Sequence, residues 1–163
     1  MMQRLTLILM ILIALALTAC TGDIVTSAGE TGTVTRVIDG DTIDVDINGT
    51  VYRVRYVGMN TPERDEPCYS SAVQANAGYV EGQRVRLVRD ESDTDRYDRL
   101  LRYVYVGDTF VNQALVEEGF AEAVLYEPDD RHYQRFLELE REAARNNRGC
   151  HPTGIFDDNS DVR

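Results

Sequence analysis

IDVDINGTVYRVRYV, residues 43–57, decides the reading of the fold. Ile43, Val45 and Ile47 alternate with Asp44 and Asp46, the two-residue period of a strand with one buried face. Asn48-Gly49 follows, the strongest short hairpin signal, because both residue types tolerate the positive φ of a two-residue turn. Val51–Val57 is the return strand, with Arg53 and Arg55 on one face and Tyr52, Val54 and Tyr56 on the other. Outward from this hairpin, Thr33–Ile38, Arg84–Arg89 and Leu100–Val106 read as further strands.

Helical patterns lie between and after the strands. Ser70–Val80 is rich in alanine, and Val111–Glu118 carries Val111, Ala114 and Leu115 before Gly119, a residue suited to a helix C-terminus. Asp129–Asn147 is the clearest helix. Tyr133, Phe136, Leu137, Glu140, Ala143 and Ala144 keep its spacing, and Asp129 or Asp130 is placed to cap its start. The chain is therefore mainly β with α (α+β): four or five antiparallel strands with about three packed helices, consistent with a five-stranded barrel such as the OB-fold. Periodicity alone does not separate that barrel from another α+β fold.

The ends of the chain read differently. Arg4 precedes an uncharged run from Leu5 to Leu17 that ends near Ala19, the layout of an export signal and too short for a comfortable membrane span. Leu17-Thr18-Ala19-Cys20 resembles the bacterial lipoprotein box, which implies a lipid on Cys20 and export to the cell envelope. The expected organisation is a signal peptide at 1–19, a lipid-anchored tether at 20–30, a folded domain at 31–156 and a flexible tail at 157–163. In an oxidising compartment Cys68 and Cys150 form a lone pair expected to be disulfide-bonded; with His132 and His151 off metal-ligand spacing, they make a poor zinc site. The net charge of −11 argues against a broadly basic nucleic-acid binder.

Three segments hold polar residues that packing does not require. Asp39-Gly40-Asp41-Thr42 sits where one strand bends into the next, as turn chemistry or as oxygen ligands for a hard cation. Asn60-Thr61-Pro62-Glu63 follows Arg55, with Thr-Pro forcing an extended or turn geometry before Glu63. Asp95-Arg96-Tyr97-Asp98-Arg99 enters the strand Leu100–Val106, as a charged loop or a phosphate-contacting one. Each is ambiguous alone. Their order and spacing, with Asn112, Leu115, Val116 and Gly119 behind them, resemble the thermonuclease (staphylococcal nuclease-like) family from about Thr33 to Phe156.

That resemblance implies an OB-fold and a calcium-dependent nuclease acting on DNA or RNA. It implies Ca²⁺ held by Asp41, Asn60 and the backbone carbonyl of Thr61, Glu63 as general base, and Arg55 and Arg99 on the phosphate. Arg96, in place of a lysine, and Tyr97 would hold a terminal phosphate of the substrate. All three catalytic side chains are expected to line an open cleft. Two positions depart from the family pattern: Asn60 stands where the best-known member has an aspartate, and Val124 where it has a base-stacking tyrosine. No obligate protein partner is evident, and the membrane is engaged through Cys20. The competing reading is a non-catalytic OB-type envelope lipoprotein that binds nucleic acid or another partner.

Overall fold

A computed structural model describes residues 29–157; the expected export signal, Cys20, most of the expected tether and the end of the expected tail lie outside them. The hairpin forms in the expected register. Strand β2 (Thr42–Ile47) pairs antiparallel with β3 (Thr50–Tyr56), from Thr42 opposite Arg55 to Ile47 opposite Thr50. That leaves Asn48 and Gly49 as the turn, with φ of 55° and 88°, the left-handed pair that matches strand twist. Ile43, Val45, Val54 and Tyr56 are fully buried.

Strand β1 (Glu30–Val37) pairs antiparallel with β2 on one side and β5 (Arg84–Val88) on the other, and β5 pairs antiparallel with β6 (Leu100–Val106). The register of β1 on β2 slips between Val34 and Arg36. The expectation of antiparallel strands throughout needs one correction. β6 returns beside β3 in parallel, Val54 opposite Leu100 and Tyr56 opposite Arg102, and closes β3-β2-β1-β5-β6 into a five-stranded mixed barrel. Closure removes two exposed edges, and only a partner distant in sequence can supply it. Short strands β4 (Met59–Asn60) and β8 (Glu122–Ala123) pair separately, and β7 (Thr109–Phe110) extends β6.

Three helices cover the barrel. Helix α1 (Tyr69–Val80) buries Ala72, Asn76 and Val80, one residue per turn. Helix α2 (Val111–Glu117) ends as a Schellman motif: Gly119, at φ 79°, donates to the Val116 carbonyl and Phe120 to the Leu115 carbonyl. Helix α3 (Tyr133–Arg145) buries Phe136, Leu139 and Ala143 and starts four residues later than its sequence pattern. Asp129 does not cap it. The Asp129 carboxylate is buried and accepts from the backbone N–H groups of Glu91 and Ser92 at 2.9 and 2.8 Å.

Beyond α3, Gly149 packs on Gly119 so closely that a Cβ on either would lie 2.5 Å from backbone of the other segment. The Cys150 N–H donates to the Gly119 carbonyl at 2.8 Å, and Cys150 is bonded to Cys68, which immediately precedes α1. The disulfide joins the 61–68 loop to the C-terminal segment.

Candidate active site

The site is assembled around the loop between β1 and β2. Its shape depends on Gly40, where a Cβ would meet the Thr61 hydroxyl at 2.6 Å, so only glycine lets this loop press onto the 60–63 segment. Asn76 holds the loop from behind. Fully buried on α1, it donates to the Asp39 carbonyl at 2.9 Å and accepts from the Tyr56 hydroxyl at 2.9 Å.

Asp41 is buried with both oxygens engaged. One accepts from the Thr61 N–H and hydroxyl, each at 3.0 Å; the other accepts from the Thr42 hydroxyl at 3.0 Å and lies 3.2 Å from the Arg55 Nε. Asp39 accepts from the Asp41 N–H at 3.1 Å. Burial, then the charge of Asp41, push the Asp39 carboxyl up to about 6. Among the described residues no group of three or more His, Cys, Asp or Glu side chains forms a metal cluster. A cation here would draw on Asp41 with the neutral oxygens of Asn60 and Thr61. The donors are all oxygen, with a second carboxylate beside them, a set that fits a hard divalent cation rather than zinc.

Arg55 is the centre of the opposite wall and differs from expectation. It is 5% exposed, so it does not stand freely in a cleft. Besides pairing with Asp41 it donates to the Met59 carbonyl at 2.8 Å, to the Tyr56 carbonyl and to the Asn60 Oδ1. The physical reason is the turn after β3, which folds its carbonyl groups back onto the guanidinium that β3 carries inward. Arg99 is more open: its Nε pairs with Asp95 at 2.7 Å and its side chain keeps 28% exposure. Burial alone would raise Asp95, but hydrogen bonds from Arg99 and from the Tyr97 N–H outweigh it and hold that carboxyl below its ordinary range.

A cleft of about 470 Å³ brings these groups together, lined by Asp39, Asp41, Arg55, Glu63, Arg96, Tyr97 and Arg99 among others. Asn60 and Thr61 are buried behind its wall, in contact with Arg55 and Asp41 respectively. Glu63 is exposed, its loop turned by a bond from its N–H to the Glu66 carboxylate. Three further lining residues, Asp39, Asp95 and Tyr126, received no individual role from the sequence, although the first two lie in the quoted polar segments. Spacing could have found Asp95, four residues before Arg99; nothing local marks Tyr126, which reaches the cleft from the loop after β8. Val124 is buried, its N–H donating to the Gly58 carbonyl, while Leu125 is exposed.

A family model described as staphylococcal nuclease homologue matches residues 53–150, a span that takes in Arg55, Asn60, Thr61, Glu63, Arg96, Tyr97 and Arg99. The chain is 38% identical over 123 residues to thermonuclease of Staphylococcus intermedius, covering 72% of this chain and 73% of that one. It is 35% identical over 122 residues to thermonuclease of Staphylococcus hyicus, covering 71% and 72%. Endonuclease YncB of Bacillus subtilis (strain 168) is 40% identical over 119 residues, covering 68% of this chain and 56% of that one. A family model over residues 53–150, which runs from β3 to Cys150, and thermonuclease relatives that match over 72% and 71% of the chain place it in the staphylococcal nuclease homologue family.

Proposed function

We propose that this protein is a nuclease that hydrolyses phosphodiester bonds of DNA or RNA, with calcium as its cofactor. The observation that carries the reading is the single cleft shared by Asp41, Arg55, Glu63 and Arg99, with Arg96 and Tyr97 at its rim. A phosphodiester is anionic and resists attack by water, so a catalyst must neutralise charge, orient the phosphorus and activate the nucleophile. Arg99 supplies a planar fork for the non-bridging oxygens, Arg55 adds the positive charge of a largely engaged guanidinium behind it, and both attractions grow as charge develops. Glu63, exposed and free of any arginine partner among the described residues, accepts the proton of the attacking water. Arg99 donates a hydrogen bond to the leaving oxygen, and Arg96 with Tyr97 holds a terminal phosphate. Asp41, Asn60 and Thr61 would hold the Ca²⁺, whose charge polarises the phosphate when bound.

The same reading assigns the protein to the cell envelope through a lipid on Cys20. Support for that comes from the sequence of residues 1–20 alone.

Cleavage of end-labelled DNA and RNA, with calcium and with excess chelator, tests the function. Calcium-dependent cutting is expected. Undiminished cutting in chelator removes the cofactor assignment. Binding without cutting under any metal condition favours the non-catalytic alternative.

A further inference from the structure

One charged cluster lies outside the site already described, on the same face of the barrel. Arg36 of β1, Asp44 of β2 and Arg53 of β3 stand directly opposite one another across three strands. Asp44 binds both guanidiniums: Arg36 at 3.0 and 2.8 Å through Nε and Nη2, and Arg53 at 2.9 and 3.3 Å through the same pair of nitrogens. The Arg53 bond, then the Arg36 bond, hold the Asp44 carboxyl below its ordinary range against burial. Two arginines on one carboxylate leave one positive charge in excess. Both cations remain open to solvent, their side chains 63% and 44% exposed, and the Arg53 Nη1 has no partner among the described residues.

A stabilising role does not explain the second arginine. One guanidinium already neutralises Asp44, and partly exposed pairs contribute only about 0–1 kcal/mol. The position of Arg53 is more informative. With Asp44 and Val51 it lines an open depression of about 390 Å³ whose other walls, Tyr97 and Arg99, also line the main cleft. The two recesses are therefore neighbours, with Tyr97 and Arg99 as a shared wall. Arg53 and Arg55 are two residues apart on one strand face, a step of about 6.6–6.8 Å. All 17 basic residues of the chain are arginine, whose fork engages two phosphate oxygens at once. In a chain of net charge −11, a cluster of two arginines on one carboxylate beside the cleft is a local feature. Tyr97, 63% exposed between the two recesses, carries the Arg96 and Arg99 guanidiniums over its ring at 4.8 and 5.5 Å, which sets both cations beside Arg53's recess.

We propose that Arg53, held by Asp44 and flanked by Arg36, is a second phosphate-binding position that takes the backbone of a single-stranded nucleic acid beyond the scissile phosphate. It rests on the nucleic-acid reading of the main cleft and adds the path of the substrate leaving it. OB-type folds engage roughly 4–16 nucleotides per domain, so one phosphate position does not exhaust such a surface.

Fluorescence anisotropy with labelled oligothymidylates of two and six nucleotides, in chelator to prevent turnover, tests it. Arg53→Ala should weaken binding of the hexanucleotide about five- to tenfold and flatten its logarithmic salt dependence by about 0.7, the loss of one single-strand phosphate contact. The dinucleotide, which does not reach Arg53, should bind within about twofold of the parent. Asp44→Asn, which frees both arginines, should tighten the hexanucleotide, with circular dichroism verifying that both variants are folded. An unchanged hexanucleotide affinity and salt slope in Arg53→Ala overturns the proposal, as does equal weakening of both lengths. A folded Asp44→Asn that binds more weakly overturns it too. A parent protein that binds the hexanucleotide yet cuts nothing with calcium present overturns the nuclease reading and leaves this position standing.

Discussion

Arg55 and Arg99 carry the same side chain into one cleft under different conditions. Arg55 is enclosed by Asp41, the Asn60 amide and two carbonyl groups, whereas Arg99 has Asp95 and open solvent. Arg99→Ala should therefore slow single-turnover cleavage by about 10²–10³-fold, as for loss of one charge-stabilising donor, with little change in the urea midpoint. Arg55→Ala should slow it comparably and also destabilise the fold by up to about 3–5 kcal/mol, because it strips a buried carboxylate of its cation. Equal midpoints for the two variants would mean that Arg55 is not a structural ion. Glu63→Gln, exposed and without a core role, should cost about 10²–10⁴-fold in rate at unchanged stability. Asn60→Asp adds a charge beside Asp41 and should tighten calcium binding at least severalfold by isothermal titration, against the competing pull of Arg55. Unchanged or weaker affinity would take position 60 off the metal.

At the scale of elements, side chains that looked like caps are spent elsewhere. Asp129 precedes the α3 pattern at capping distance, yet its carboxylate holds the 91–92 backbone at the start of the loop carrying Arg96, Tyr97 and Arg99. Asp129→Ala leaves two amides without their partner and should cost about 1–3 kcal/mol. Hydrogen exchange should speed at Glu91 and Ser92 before it does within α3. Asp129→Asn keeps an acceptor oxygen and should recover part of the loss. Faster exchange confined to the first turn of α3 would restore the capping role. Asn112 acts similarly between elements: it accepts from the Val104 N–H and donates to the Val57 carbonyl, pinning α2 to β6 and to the turn after β3. Neither role has a local signal, because the partners lie 38 and 37 residues from Asp129 and 8 and 55 residues from Asn112.

Across the whole molecule, the Cys68–Cys150 bond spans 82 residues and ties the loop after Glu63 to the chain beyond α3. The chain-entropy model gives about 4.5 kcal/mol for such a loop, an upper figure where the unfolded chain keeps structure. Cys68→Ser/Cys150→Ser should lower the urea unfolding free energy by most of that amount, and a loss below about 1 kcal/mol would mean that the glycine contact at Gly119 and Gly149 suffices. The sequence by itself determined what local geometry determines. Alternation at 43–57 and the Asn-Gly turn specify the hairpin, three- and four-residue spacing specifies the helices, and motif order with cysteine count specified family and disulfide. Tertiary structure alone decided the parallel closure of β6 on β3, the burial of Arg55, the duty of Asp129 and the alignment of Arg36, Asp44 and Arg53 beside the cleft. The reason is physical: a residue's period and turn propensity depend on its immediate neighbours, while its solvent exposure and its partners depend on segments that only packing brings within a few ångströms.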